Sequence, residues 1–412
     1  MRMRQEGFKS GPGRWPAILA ILTAAAAVLA AAGCSDDSEN PAGPSGGNEC
    51  GEILAVTTDY ATGSLAVVSG DSTADVAKDV AAVHADAVAR VHDGLVWIVN
   101  RLGADNIQVL DPAAGFSTIR QFSTGAGTNP RDIAFGEAAD RAYVSRALSA
   151  SLLEIDPRSG AHVREIALDV YADADRIPDM DRLLYVAPRI YVALQRIDFG
   201  GGTYLPVAPS MIAVYDTEAD SLVDFDPALA GSQAILLQGL NPTAPMIWNA
   251  RRGEILVPES GVYGVNDAGI ERVDPVAGRS LGWMLREEAL GGDLIDFVLS
   301  EANGGTVGIE GSERGFATAS FPTATGFGTR LVAFDPSTGA VTDTLYSSDA
   351  YDLADLVLSR CGILFVCDRA YGSSGLRAFR AEDGSPLSIG TGAGGTISTG
   401  LPPFELVRLD DE

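Results

Sequence analysis

Lysine is nearly absent from this chain. Of its 412 residues only Lys9 and Lys78 are lysine, so the 29 basic residues are almost all arginine, against 55 acidic ones. The net charge of −26 argues against a nucleic-acid partner, which needs clustered basic side chains. Histidine is scarce too. His84, His92 and His162, with four scattered cysteines, do not build a Cys/His zinc site of familiar spacing. The chain also lacks a GxSxG elbow, an HExxH pair and a P-loop. Beyond the N-terminal region no stretch of about a dozen residues has a convincing helical period, while glycine is abundant at 47 residues. Both features point to strands and turns. A hydrophobic content of 46% is enough for a sizeable core and rules out wholesale disorder.

What is present begins with an address. Arg2, Arg4, Lys9 and Arg14 precede an uncharged apolar run from Ala17 to Ala32, the layout of a secretory signal. The run is too short and too rich in alanine for a transmembrane helix. It ends Leu29-Ala30-Ala31-Ala32-Gly33-Cys34, which resembles a bacterial lipobox. Residues 1–33 are therefore expected to be a lipoprotein signal peptide, with Cys34 lipidated. Residues 34–50, rich in Gly, Pro and Ser, read as a flexible polar tether, and residues 51–412 as the folded body. Asp36 and Asp37 resemble the surface-export signal of some diderm lipoproteins. The expected place is the cell envelope, lipid-anchored at the outer membrane and either surface-exposed or periplasm-facing. An acidic body is repelled by anionic lipid, which leaves the anchoring to the lipid chains.

The body is a repeat array. A short apolar strand followed by Asp-Pro and a glycine recurs as IQVLDPAAG (107–115), LLEIDPRSG (152–160), IERVDPVAG (270–278) and LVAFDPSTG (331–339). A weaker copy is IAVYDTEAD (212–220), and degenerate ones are GSLAVVSGD (63–71) and GLRAFRAEDG (375–384). Each is a strand running into a turn, with Asp accepting backbone hydrogen bonds, Pro presetting φ and Gly leaving the turn. About 20 residues upstream of most copies lies another strand, such as LVWIVNR (95–101), RAYVSRA (141–147) or ILFVCDR (363–369), with a further one before it. Adding an outer strand after the turn makes four antiparallel strands per unit. Seven such units predict an all-β, seven-bladed β-propeller. The body opens on a second strand, EILAVTTDY, and closes on LPPFELVRL, which reads as a first strand. The C-terminal strand is thus expected to complete the first blade and close the ring.

Aligning the blades exposes a charged pattern. A carboxylate opens the innermost strand in six of seven blades: Asp86, Asp132, Asp181, Asp296, Asp355 and Glu405. An arginine closes the second strand in four: Arg101, Arg146, Arg196 and Arg369, each 14 or 15 residues after its blade's carboxylate. Antiparallel neighbours place the start of one strand beside the end of the next. Asp86 with Arg101, Asp132 with Arg146, Asp181 with Arg196 and Asp355 with Arg369 are therefore expected to meet at the mouth of the channel. They would serve either as ion pairs that set register or as a ring of charge for a polar ligand. The glycine-rich loops on this face carry Tyr204, Tyr263, Phe321 and Tyr371, and Tyr60 lies at or next to a position where the pairing is broken. Aromatics on loops over a rigid scaffold suit flat ligands, and the same residues can instead cover blade edges.

Two smaller features stand apart. Residues 171–181 pack Asp173, Asp175, Asp179 and Asp181 into one connection, an oxygen-rich segment able to hold calcium. Cys361 and Cys367 flank one strand and lie ~20 Å apart, too far for a disulfide. Cys50 and Cys361 occupy matching turns of the first and last blades, so a Cys50–Cys361 bridge would staple the closing seam and leave Cys367 a buried free thiol. His84, near the rim, is the one histidine placed to act as a base.

The motifs NPRDIAF and DPRSG, with strands such as RAYVSRA, resemble the YVTN/YncE-type seven-bladed propeller family over roughly residues 50–410. No blade carries a perfect YVTN string. With the lipobox, the resemblance implies a non-enzymatic, lipid-anchored propeller that captures a small ligand on its funnel face. Lipoprotein relatives include cobalamin-binding ones, so the ligand would be of that kind and handed to an outer-membrane transporter. No cofactor is implied beyond a divalent cation such as calcium. Two other readings stand beside this one. Propeller lactonases hold a divalent ion with channel carboxylates and an asparagine, here Asn129 or Asn241, which would make the chain a metal-dependent hydrolase. A protein-interaction module of the envelope is the third.

Overall fold

A computed structural model describes residues 49–137, 140–198, 205–300, 313–389 and 395–410. Cys34, most of the tether and Tyr204 lie outside the described residues. The body forms seven antiparallel sheets in chain order, a seven-bladed β-propeller. Blade 1 runs from the inside outward as Pro403–Arg408, Glu52–Thr58, Gly63–Ser69 and Val76–Val83. Blade 2 is Ala87–His92, Leu95–Asn100, Asn106–Asp111 and Ser117–Ser123. Blade 3 is Pro130–Phe135, Ala142–Arg146, Ser151–Asp156 and Ala161–Ala167. Blade 4 has Met180–Val186, Arg189–Leu194 and Met211–Asp216, its outer edge split into Ser221–Leu222 and Ile235–Leu236. Blade 5 starts from the short Ile247–Asn249 and continues as Glu254–Glu259, Gly269–Asp274 and Arg279–Arg286. Blade 6 is Asp293–Leu299, Gly315–Thr323, Gly326–Asp335 and Ala340–Ser348. Blade 7 is Leu353–Leu358, Ile363–Asp368 and Gly375–Arg380, with isolated bridges Leu376–Ile397 and Phe379–Pro386 in the place of an outer strand.

The repeated turns form for the reason their residues suggest. Asp156 accepts from the Arg158 amide, Asp274 from Val276 and Ala277, and Asp335 from Ser337. Gly115, Gly160, Gly278 and Gly339 leave these turns at positive φ, a backbone region nearly closed to other residues. In the weaker copy at 212–220, Asp220 takes that conformation instead.

The middle strands are buried on both faces, so they read as continuous apolar runs rather than alternating ones. Alternate side chains enter different cores. Val96 and Ile98 pack toward blade 1, whereas Trp97 and Val99 pack toward blade 3. The described buried apolar residues fall into seven clusters, each lying between two adjacent blades. No blade holds a core of its own, so the ring must close to bury the faces of its first and last members.

Closure is doubly secured. Pro403–Arg408 pairs with Glu52–Thr58 from Ile53–Arg408 to Thr57–Pro403. At the seam between blades 7 and 1, Cys50 and Cys361 form a disulfide, while Cys367 is free and buried. A cross-link between residues this far apart in sequence restricts the unfolded chain. Replacing both Cys50 and Cys361 by serine is expected to cost about 2–5 kcal/mol in urea unfolding, with reductant producing the same loss in the unmodified protein.

Candidate functional site

The axis of the ring is lined by the seven inner strands, and their carboxylates decide its character. Asp132, Asp181, Asp296, Asp355 and Glu405 stand on these strands, and Asp86 immediately precedes one. In blades 3, 6 and 7 the strand register shifts at the carboxylate, a bulge that leaves a backbone N–H without a ladder partner. The carboxylate fills that role. Asp132 accepts from Ile133, Asp296 from Phe297 and Asp355 from Leu356.

The same groups reach across the seams. Asp132 accepts from the Leu183 amide of blade 4 at 3.0 Å, Asp355 from Leu406 of blade 1 at 2.6 Å, and Glu405 from Ala89 of blade 2 at 2.6 Å. Hydroxyls on or just after the second strands add a matching bond to the next blade's backbone. Ser145 donates to the Asp181 carbonyl, Ser260 to Leu294 and Thr318 to Ala354.

The bulge also explains where the expected ion pairs fail. In blade 2 the register is regular, and Arg101 does pair with Asp86. In blade 3 the shift sets Asp132 opposite Ser145 rather than Arg146. Arg146 instead binds Glu165, Ser151 and the Thr124 carbonyl. Asp181 sits within the shifted stretch of blade 4, and Arg196, at φ 55, donates to the Pro209 carbonyl. Arg369 donates to the carbonyls of Thr58, Pro402 and Pro403 and leaves Asp355 alone. The pairings Asp132–Arg146, Asp181–Arg196 and Asp355–Arg369 are therefore not made.

Three other arginines on the inner strands take those places. Arg90 bridges Asp132 at 2.8 Å and Glu405 at 3.0 Å, Arg131 holds Asp181 at 2.8 Å, and Arg182 lies 3.5 Å from Asp181. Burial works against the Arg90 charge, but Asp132 and Glu405 outweigh it and raise the pKa. Arg101 goes the other way, lowered to about 10 by burial and then by the nearby Arg131. The sequence held a signal for two of these residues, since Arg131-Asp132 and Asp181-Arg182 are neighbours on inner strands.

The channel wall is thus polarised. Arg90, Arg101, Arg131 and Arg182 belong to blades 2–4, whereas Asp296 and Asp355 of blades 6 and 7 stand together. Neither has an arginine ion pair among the described residues, and Arg182 is near enough to act on Asp296 through its charge. Burial raises the pKa of both, and Asp355 is pushed well up by burial and then by the Asp296 charge. A cavity of about 220 Å³ opens here, lined by these two aspartates, Glu405 and Arg182, with Arg369, Tyr60, Tyr351 and Phe404 toward its mouth. The Arg369 guanidinium lies over Tyr60 at 4.7 Å and over Phe404 at 5.6 Å. Tyr60 and Tyr351 are more than half exposed, and Tyr351 is turned against Tyr263.

The fold is a seven-bladed β-propeller, and comparison with known proteins shows that and no finer kinship. No protein-family model and no curated protein sequence matches the chain. Among solved structures it is similar to a candidate 6-phosphogluconolactonase from Bacteroides fragilis NCTC 9343, with TM-score 0.54, 12% identity, and coverage of 89% of this chain and 100% of that one. It is also similar to the dihydro-heme d1 dehydrogenase NirN in complex with DHE, with TM-score 0.52, 14% identity, and coverage of 88% and 76%. At such identity the likeness is one of fold. YVTN/YncE membership and a lipoprotein identity are not among these findings.

The remaining expected residues scatter. Phe321 packs beneath Arg330, 4.1 Å from its ring, within the blade 6 hairpin and away from the cavity. Tyr371 is fully exposed. His84 bonds through Nδ1 to the backbone of Asp86. Asn129 donates its amide to Asp105, and Asn241 accepts from Gln195. Among the described residues no set of three or more His, Cys, Asp or Glu side chains is placed to hold a metal ion. That includes the connection with Asp173, Asp175 and Asp179. There Asp179 is wholly buried, accepts from the Ile197 amide and is pushed up to about 7, chiefly by burial and then by Asp175 and Asp173.

Two outcomes test this account. Asp132→Ala leaves two amides unmet and removes one of the two carboxylates on Arg90, and is expected to destabilise by about 2–4 kcal/mol, whereas Arg286→Ala, in an exposed pair with Glu288, changes stability by about 0–1 kcal/mol; chemical denaturation separates the two. Because the fold favours neutral Asp179, its contribution is intact at acid pH and is lost as pH rises from the ordinary aspartate value toward about 7. Asp179→Asn is expected to flatten the decline in unfolding free energy across that window.

Proposed function

We propose that the folded body is a capture module that holds a small polar ligand at the mouth of its central channel. The observation that carries this reading is the 220 Å³ cavity, whose walls join the Asp296–Asp355 couple, the Arg182 guanidinium and an aromatic rim. Binding needs only groups already assembled there, held rigid by the seams on either side. The volume lies below the ~300–1,000 Å³ of sites for drug-sized molecules, so the ligand enclosed is small. A ring as large as a corrin would rest on Tyr60, Tyr351 and Tyr263 rather than enter.

The leader supports placing this module at the cell envelope, tethered through a lipid on Cys34 and standing off the outer membrane on residues 34–50. From that position a captured ligand would pass to an outer-membrane transporter. Arg146 and Arg196, turned to backbone carbonyls and neighbouring strands, have no part in the capture site; Arg369 and Tyr60 do.

Native mass spectrometry of the full chain purified from its own host is expected to show a co-purifying small molecule. The double substitution Tyr60→Ala/Tyr351→Ala is expected to weaken its retention about tenfold or more while shifting stability by about 1 kcal/mol or less, since both rings are largely exposed. A bare mass, with no molecule taken up from host extract, overturns the capture reading.

A further inference from the structure

We infer that the ligand of the channel site is a zwitterion: a small molecule with an oxyanion at one end and a protonated amine at the other, the class to which α-amino acids belong. This rests on the capture reading and names the chemistry of its ligand.

Two sets of charged groups line the cavity with hydrogen-bonding capacity left unmet. On one side, Arg182 is about nine-tenths buried and lines the cavity. Its Nε donates to the Thr243 carbonyl, but Nη1 is buried with no hydrogen-bond partner. Asp132 is engaged by Arg90 and two amides, and Asp181, bonded by Arg131, stands 3.5 Å from Arg182 Nε and does not reach Nη1 with a hydrogen bond. A buried guanidinium donor without a partner is costly, and a carboxylate is the group whose geometry meets it.

The other set is acidic, and Arg182 acts on it only through space. Asp296 and Asp355 adjoin each other, and their bonds to the protein are to backbone amides and to one another. Two carboxylates in contact need either a proton or a cation between them. An ammonium group supplies the cation with several donors.

A simple anion seated on Arg182 would face Asp296 and Asp355 across a small cavity. A simple cation seated on the aspartates would leave Nη1 unmet. Only a molecule carrying both charges satisfies both walls, and Tyr60, Tyr351 and Phe404 at the mouth then cover its apolar body.

The test is calorimetric titration of the full chain with the twenty common L-amino acids, followed, for each that binds, by its amide and its deaminated acid. At least one amino acid is expected to bind, with each singly charged analogue weaker by about tenfold or more. Asp296→Asn and Arg182→Met are expected to lower affinity for the zwitterion by a similar factor. The analogue series needs no variant, so it stands even if a substitution disturbs folding. Equal binding by either analogue, or no binding by any amino acid, overturns the inference. If a co-purifying molecule of another class is found, capture stands and the zwitterion falls; if the protein takes up nothing at all, both fall.

Discussion

A carboxylate set at a bulge in the inner strand is the interaction on which the rest of this propeller depends. Asp132 and Asp355 each take one amide freed by their own bulge and one from the next blade. Glu405 takes the amide of Ala89 at a third seam. Each apolar core is shared by two blades, so a blade has no stability apart from its neighbours. Burial is non-directional, and it sets how closely the blades pack without setting their angle. Directional bonds from fixed carboxylates supply that angle, and the Ser145, Ser260 and Thr318 hydroxyls repeat the device one strand further out.

The same device makes the channel. Carboxylates used as clasps must be buried, and buried charge asks for a partner. In blades 2–4 arginines on the inner strands provide it, through Arg90 to Asp132 and Arg131 to Asp181. Blade 5 breaks the pattern, since its inner strand is only Ile247–Asn249 and carries no carboxylate. Beyond it Asp296 and Asp355 adjoin each other, held by backbone amides and with no arginine ion pair among the described residues. The cavity lies where the clasping pattern runs out of counter-charge, so the features read as a site are the same residues that hold the ring, left incompletely balanced on one side.

Much of the architecture was legible because it is written in local chemistry. Asp-Pro turns with a closing glycine mark strand ends, and their recurrence counts the blades. The C-terminal FELVRL reads as a missing first strand because the body begins on a second one. The ion pairs were a different matter. Pairing Asp132 with Arg146 assumed a regular ladder, and one bulged residue moved the carboxylate opposite Ser145. A bulge is set by the twist the strand must adopt against its neighbours, which no local motif announces. Arg90, Arg131 and Arg182 are a related case: an arginine on an inner strand gains its role only once the axis of the ring runs past it.

What the sequence determined by itself was the secondary structure, the number of blades, the way the ring closes and the strongly acidic character of the body. These follow from turn chemistry, strand patterning and composition, each acting over a few residues. The tertiary structure alone decided which charges face each other, that Tyr60, Tyr351 and Phe404 share a mouth with Arg182, and that Asp296 lies against Asp355. Those groups come from blades far apart in the chain. Their meeting depends on the curvature of a closed ring and on the register of its inner strands, quantities that exist only once every blade has docked.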